Sequence, residues 1–319
     1  MDRAGRSQKL LMKSGLGWLV ALAGFTACAT GASSIGTQSS ALDLPELAWF
    51  PSGLDRVTAL TEGPLACLAS AKTAGLQDQL ALGEIIFHSP ALLGGQAEKK
   101  GLSCGSCHQN GRGNPHFQFE AISGAQGTAD VTSGLFSQVR ADNQFNPVPI
   151  PDLALPDGQD QIDRSDRHAL ADFVRAQIVE EFSGDNPPAE IFEPLLTYLQ
   201  AIDASEAACA TDETHPVDWS TDWRSAQMAA RQAQTVQSAP ARAFYIRTAR
   251  ISLGRLHARY SAAAHADIRQ DLVALSRSLG SGSEWPDDLE TLPARLKAEA
   301  PASLYAPATL SEALQAAKN

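Results

Sequence analysis

Ser103-Cys104-Gly105-Ser106-Cys107-His108 lies a third of the way along a chain of 319 residues. Its last five residues have the form C-x-x-C-H, the attachment signature of a c-type haem. The spacing follows from the chemistry. Two thiols add across the two vinyl groups at one edge of the macrocycle, and the next residue, His108, is placed to bind iron through a ring nitrogen. A thioredoxin-like pair should follow a strand, and no β-rich run precedes Ser103. A zinc site needs a second ligand pair at suitable spacing, and the sequence has none. The motif therefore implies one covalently attached haem c per chain, with Cys104, Cys107 and His108 holding it.

Outward from the motif the pattern is helical. Leu76 to Phe87 places Leu80, Gly83 and Phe87 on one face. After His108 comes a long irregular stretch to about Gln161, rich in Gly, Pro, Asn and Asp, whose length argues for function. Phe117, Phe119, Phe136 and Phe145 are its candidates for the haem pocket. Ser165-Asp166 can cap a helix over Ala169–Glu181, and Asn186-Pro187-Pro188 breaks it. Ala189 to Ala204 reads as a closing helix. Past a linker at 210–220, helices are expected over Arg224–Val236, Pro240–Ala262, Ala266–Leu279 and Asp287–Ala298. Arg242, Arg247, Arg250, Arg255 and Arg259 on the second of these form either a docking face or a solvated one. The expected fold is mainly α: a cytochrome c-like haem domain over 46–210, then a small helical bundle over 215–319. Cys67 and Cys209 are expected to pair and join the two ends of the haem domain, with two separate buried thiols as the alternative.

The second axial position of the iron decides between two kinds of function. A side chain there makes an electron carrier, and an open position admits a small molecule. The candidates are water or nothing, His168, His88, His116 and Met228. His168 lies far enough beyond His108 for the chain to travel round the haem edge. His215, His257 and His265 read as structural.

Leu82-Gly83-Glu84-Ile85-Ile86-Phe87 followed by the haem motif resembles the N-terminal haem domain of bacterial di-haem cytochrome c peroxidases and their methylamine-utilisation relatives. Pro156-Asp157-Gly158, Leu170-Ala171-Asp172-Phe173-Val174 and Tyr198-Leu199-Gln200-Ala201-Ile202-Asp203 are similar to later landmarks of such domains. The resemblance covers about 75–205 and implies reaction with peroxide at this haem. Two departures stand against that activity. There is no second C-x-x-C-H, and the stretch Pro151 to Pro156 lacks the family's distal glutamine. Asp172 is the candidate for the family's acidic position.

The N-terminus reads as an export signal over 1–28. Arg3, Arg6, Lys9 and Lys13 precede a ten-residue apolar run, Leu16 to Phe25, too short to span a bilayer. Phe25-Thr26-Ala27-Cys28 resembles a lipoprotein box in which Cys28 is lipidated; an ordinary cleavage site there is the alternative. Residues 29–45 suit a flexible tether. The location implied is periplasmic or exported, with a lipid anchor at Cys28 in the first case. Net charge is −11 overall, and 41–214 alone carry −16. That balance argues against a sequence-independent nucleic-acid binder and suits either plain solubility or a redox partner with a basic docking surface. The reading is an exported monohaem cytochrome that moves single electrons, or else a peroxidase-like enzyme fed by a separate cytochrome.

Overall fold

The computed structural model describes residues 42–317, apart from 52, 65, 155–162, 204–213, 284 and 287–290. The expected export signal, Cys28, most of the expected tether, Cys209 and the Pro156-Asp157-Gly158 stretch fall outside the described residues. The described part is mainly helical and belongs to one compact unit. It holds α1 (Arg56–Thr61), α2 (Ala74–Phe87), α3 (Gly95–Lys99), α4 (Cys104–Cys107), α5 (Arg167–Ala176), α6 (Ala189–Ala201), α7 (Trp219–Thr235), α8 (Ala239–Arg259), α9 (Ala266–Gly280), α10 (Thr291–Glu299) and α11 (Pro307–Ala316). None of the described helices is long and apolar enough to cross a membrane.

Local chemistry sets the helix starts. Thr73 caps α2 by accepting from Leu76 N, and Asp166 caps α5 by accepting from His168 N and Ala169 N. Asp218 and Ser238 do the same for α7 and α8. Each such cap satisfies backbone N–H groups that the helix itself cannot. The expected linker contributes structure: β1 (Glu62–Pro64) pairs antiparallel with Thr214–Pro216, and α7 begins at Trp219. Helix α11, absent from the sequence reading, is short, and only Leu310 of its residues is buried.

Packing follows two crossings. Helix α2 lies against α6, and α8 lies between α7 and α9. One apolar cluster runs from Phe87 and Leu195 through Trp223 and Tyr245 to Leu272, so the two halves of the chain share a core. A second cluster gathers Trp49, Phe50, Leu102, Phe117 and Phe136 with Leu304 and Leu310. Cys104 packs against both clusters. Three of the five α8 arginines reach the N-terminal half: Arg247 bonds Glu98, Arg255 donates to His88 O at 3.1 Å, and Arg259 donates to Leu60 O at 3.1 Å.

Cys67 is disulfide-bonded, whereas Cys104 and Cys107 are free thiols. Asp203 N donates to Cys67 O at 2.8 Å and Ala69 N to Ala201 O at 2.7 Å. The segment before α2 therefore lies along the end of α6, six residues short of Cys209.

Glycine is required where α2 crosses α6. A Cβ at Gly83 would overlap the Pro194 carbonyl oxygen and Tyr198 Cβ. Overpacking of this kind costs typically about 1–3 kcal/mol. Gly83→Ala is expected to lower stability by about that amount or more in thermal denaturation, and an unchanged melting temperature would contradict this crossing.

Candidate functional site

The short helix α4 opens on a reciprocal cap: Ser103 N donates to Ser106 Oγ at 3.0 Å, and the Ser103 hydroxyl faces the N–H of Ser106 in return. That fixes Cys104, Cys107 and His108 on one turn. His88 packs beneath Gly105, where any Cβ would collide with its ring. The coil after His108 then returns to the motif. Asn114 N donates to Cys107 O and Asn114 Nδ2 to Ser106 O, both at 2.9 Å. A two-residue strand β2 (Thr128–Ala129) pairs antiparallel with β3 (Val148–Pro149), and Ile150 N donates to Gly127 O at 2.8 Å. This pairing delivers Pro151 to His108.

His108 Nδ1 lies 3.1 Å from the Pro151 carbonyl oxygen. A carbonyl only accepts, so Nδ1 is the protonated nitrogen and Nε2 keeps its lone pair. Burial lowers the His108 pKa to about 4, opposed by the Pro151 hydrogen bond and the Asp152 charge. The ring is therefore neutral at pH 7, the form that ligates a metal. The next residue, Asp152, is held by Arg112 at 2.5 Å.

Cys104, Cys107 and His108 line one cleft with a cavity volume of about 240 Å³ that opens to solvent. Its walls are largely apolar, with Phe87, Leu102, Phe117, Phe136 and Leu195 among them. Burial raises the Cys104 thiol to about 12 and Cys107 further, with Glu181 acting on both in the same direction. Two neutral thiols, one neutral imidazole and a wide apolar cleft suit a flat apolar macrocycle joined through two thioethers. Among the described residues no three His, Cys, Asp or Glu side chains gather as a bare metal ion requires.

Of the four phenylalanines expected in the pocket, Phe117 and Phe136 line the cleft. Phe119 is buried beside Phe136, and Phe145 is 62% exposed. Candidates for the second axial position lie elsewhere. His88 is under α4, His116 lines a separate groove with Asp55 and Glu62, His168 is on the exposed side of α5, and Met228 packs in α7. Asp172, the candidate acid, is 87% exposed.

A different acid reaches the cleft. Helix α5 continues as a π-helical turn, Gln177–Glu181, and Glu181 is buried at its end. It lines the cleft and pairs with Arg140 at 3.3 Å. Burial raises its pKa to about 7, with Arg140 pulling the other way. The signal was present in the sequence, since Leu170, Val174, Ile178 and Glu181 fall on one helical face.

Compared with known proteins, the chain matches no family model, no curated protein and no solved structure.

Glu181 makes a pH prediction. A carboxyl raised on folding holds its proton longer in the native state. Its contribution to stability is thus complete below the ordinary carboxylate range and is lost as pH rises to about 7. Glu181→Gln is expected to remove up to about 3 kcal/mol of that decline. Denaturant titrations of wild type and variant between pH 4 and 8, in about half-unit steps, check it; parallel pH profiles would contradict it.

Proposed function

We propose that the protein is an exported monohaem c-type cytochrome that passes single electrons to and from a redox partner. Supporting this is one arrangement: two thiols and a neutral imidazole, spaced C-x-x-C-H, lining the same apolar cleft, with His108 Nδ1 engaged by Pro151. Haem bound there supplies one-electron exchange at its iron, and a small-molecule position wherever the second axial site is free. Cys104 and Cys107 tether it, and His108 Nε2 is the proximal ligand. The apolar walls limit water, which tunes the potential. The −16 charge over 41–214 favours a partner with a basic docking surface. The signal-like pattern over 1–28 supports a periplasmic or exported location, with Cys28 as the candidate lipid anchor.

A second reading has its own observation. The described cleft lining contains no histidine besides His108 and no methionine, but it does contain Glu181. An acid poised near neutral pH can give a proton to, or take one from, a molecule held beside it. This favours a peroxidase-like enzyme that reduces peroxide with electrons from a separate cytochrome, as the resemblance to di-haem peroxidases implies. The lack of a second haem motif makes that outside donor necessary.

Electronic and EPR spectra of the haem-loaded protein separate the two. Low-spin haem in both oxidation states, unresponsive to carbon monoxide and peroxide, supports the simple carrier. High-spin haem that binds carbon monoxide when reduced and reacts with peroxide supports the enzyme. In that case Glu181→Gln is expected to slow the peroxide reaction by about 10²–10⁴-fold, the range for loss of a general acid–base group.

A further inference from the structure

We propose that Arg164 is a carboxylate-binding site inside the cleft and that its ligand is a propionate of the haem. This rests on the haem reading above and adds which residue receives the charged edge of the group.

Three side chains carry formal charge into the cleft from the described residues: Asp130, Glu181 and Arg164. Both acids have partners in the protein. Asp130 Oδ1 accepts from Thr132 N at 2.9 Å and Thr132 Oγ1 at 2.8 Å, and Glu181 pairs with Arg140. Arg164 is the cleft's single described cation and is incompletely used. Its Nη1 donates to Ile202 O at 2.7 Å and to Leu199 O at 3.4 Å, which pins the guanidinium at the C-terminal end of α6. Its Nε and Nη2 donate to no described residue.

A guanidinium has five N–H donors and stays charged in proteins. Arg164 is partly buried, and its Nε and Nη2 are not among the buried atoms that lack a partner, so they face space that water or an anion can fill. Burial already presses against its charged form, while Asp203 and Asp152 support that form from a distance. Asp152 Oδ2 is itself engaged by Arg112.

Arg164 lines the same cleft as Cys104 and Cys107 and is its one described cation. A haem fixed by its vinyl edge to those thiols carries its two carboxylates on the opposite edge, and Arg164 is the described side chain of the cleft whose charge complements them.

The test uses covalently loaded protein and measures the midpoint potential from about pH 5 to 8, where a buried carboxyl deprived of its cation titrates. Removing a positive charge beside the haem favours the oxidised, more positive state. Arg164→Gln is therefore expected to lower the potential and add a pH-dependent step, with Arg164→Lys restoring much of the wild-type behaviour. A variant with unchanged potential and pH profile but reduced thermal stability overturns the proposal and leaves Arg164 as a brace for α6. If acetate perturbs the wild-type spectrum, loses that effect in Arg164→Gln, and the potential stays put, the site takes a free carboxylate and the proposal is equally overturned. Should Arg164→Gln fail to accumulate, resonance Raman spectra of wild type and the neutral Arg164→Met are compared; a propionate bending band at the same position in both overturns it. Colourless wild-type protein sinks the haem reading itself, whereas coloured protein with unaltered potentials sinks only the role of Arg164.

Discussion

The hydrogen bond from His108 Nδ1 to the Pro151 carbonyl links residues 43 positions apart, and the architecture around the cleft serves to make it. Without that acceptor the ring could place its proton on either nitrogen and rotate. With it, one tautomer and one orientation are fixed. Delivering Pro151 requires the coil to leave the motif, turn at Asn114, pair Thr128–Ala129 with Val148–Pro149, and lock Asp152 to Arg112. A regular helix could not return so soon to its own start. The irregularity of the stretch is therefore a structural requirement.

The same constraint explains the surrounding core. A wide apolar cleft leaves its walls short of packing partners on one side, so they must be held from behind. Phe87 and Tyr198 meet across the α2–α6 contact with ring centroids 5.2 Å apart, a crossing that Gly83 permits, and the cluster they belong to continues into α7 and α8. His88 under Gly105 and Arg255 on the His88 carbonyl tie α4's support to the C-terminal helices. The C-terminal half thus acts as a buttress for the turn that carries Cys104, Cys107 and His108.

The C-x-x-C-H pattern stands out in the sequence because covalent attachment of a macrocycle would tolerate so little variation in spacing. Most helices were legible from apolar periodicity and breaks, with ends displaced by a few residues, as at Ala189–Ala201 where the sequence suggested an end at Ala204. What sequence could not provide was depth. Phe117 and Phe145 look alike in a coil, yet one is buried and the other points away, because the β2–β3 pairing decides which side faces in. Asp172 and Glu181 sit on one helical run, and the π turn together with the apolar face through Ile178 carries only the second inward. His168, a candidate chosen by sequence distance, stands on the exposed face of α5.

The account stands on a porphyrin joined to Cys104 and Cys107. The most direct measurement is intact and peptide mass spectrometry of the protein exported from a host that attaches haem c. The expected result is a single haem increment that survives denaturation and maps to the peptide carrying Cys104 through His108, absent when both cysteines are replaced by serine. Protein of unmodified mass, with both thiols still open to alkylation, would contradict the account.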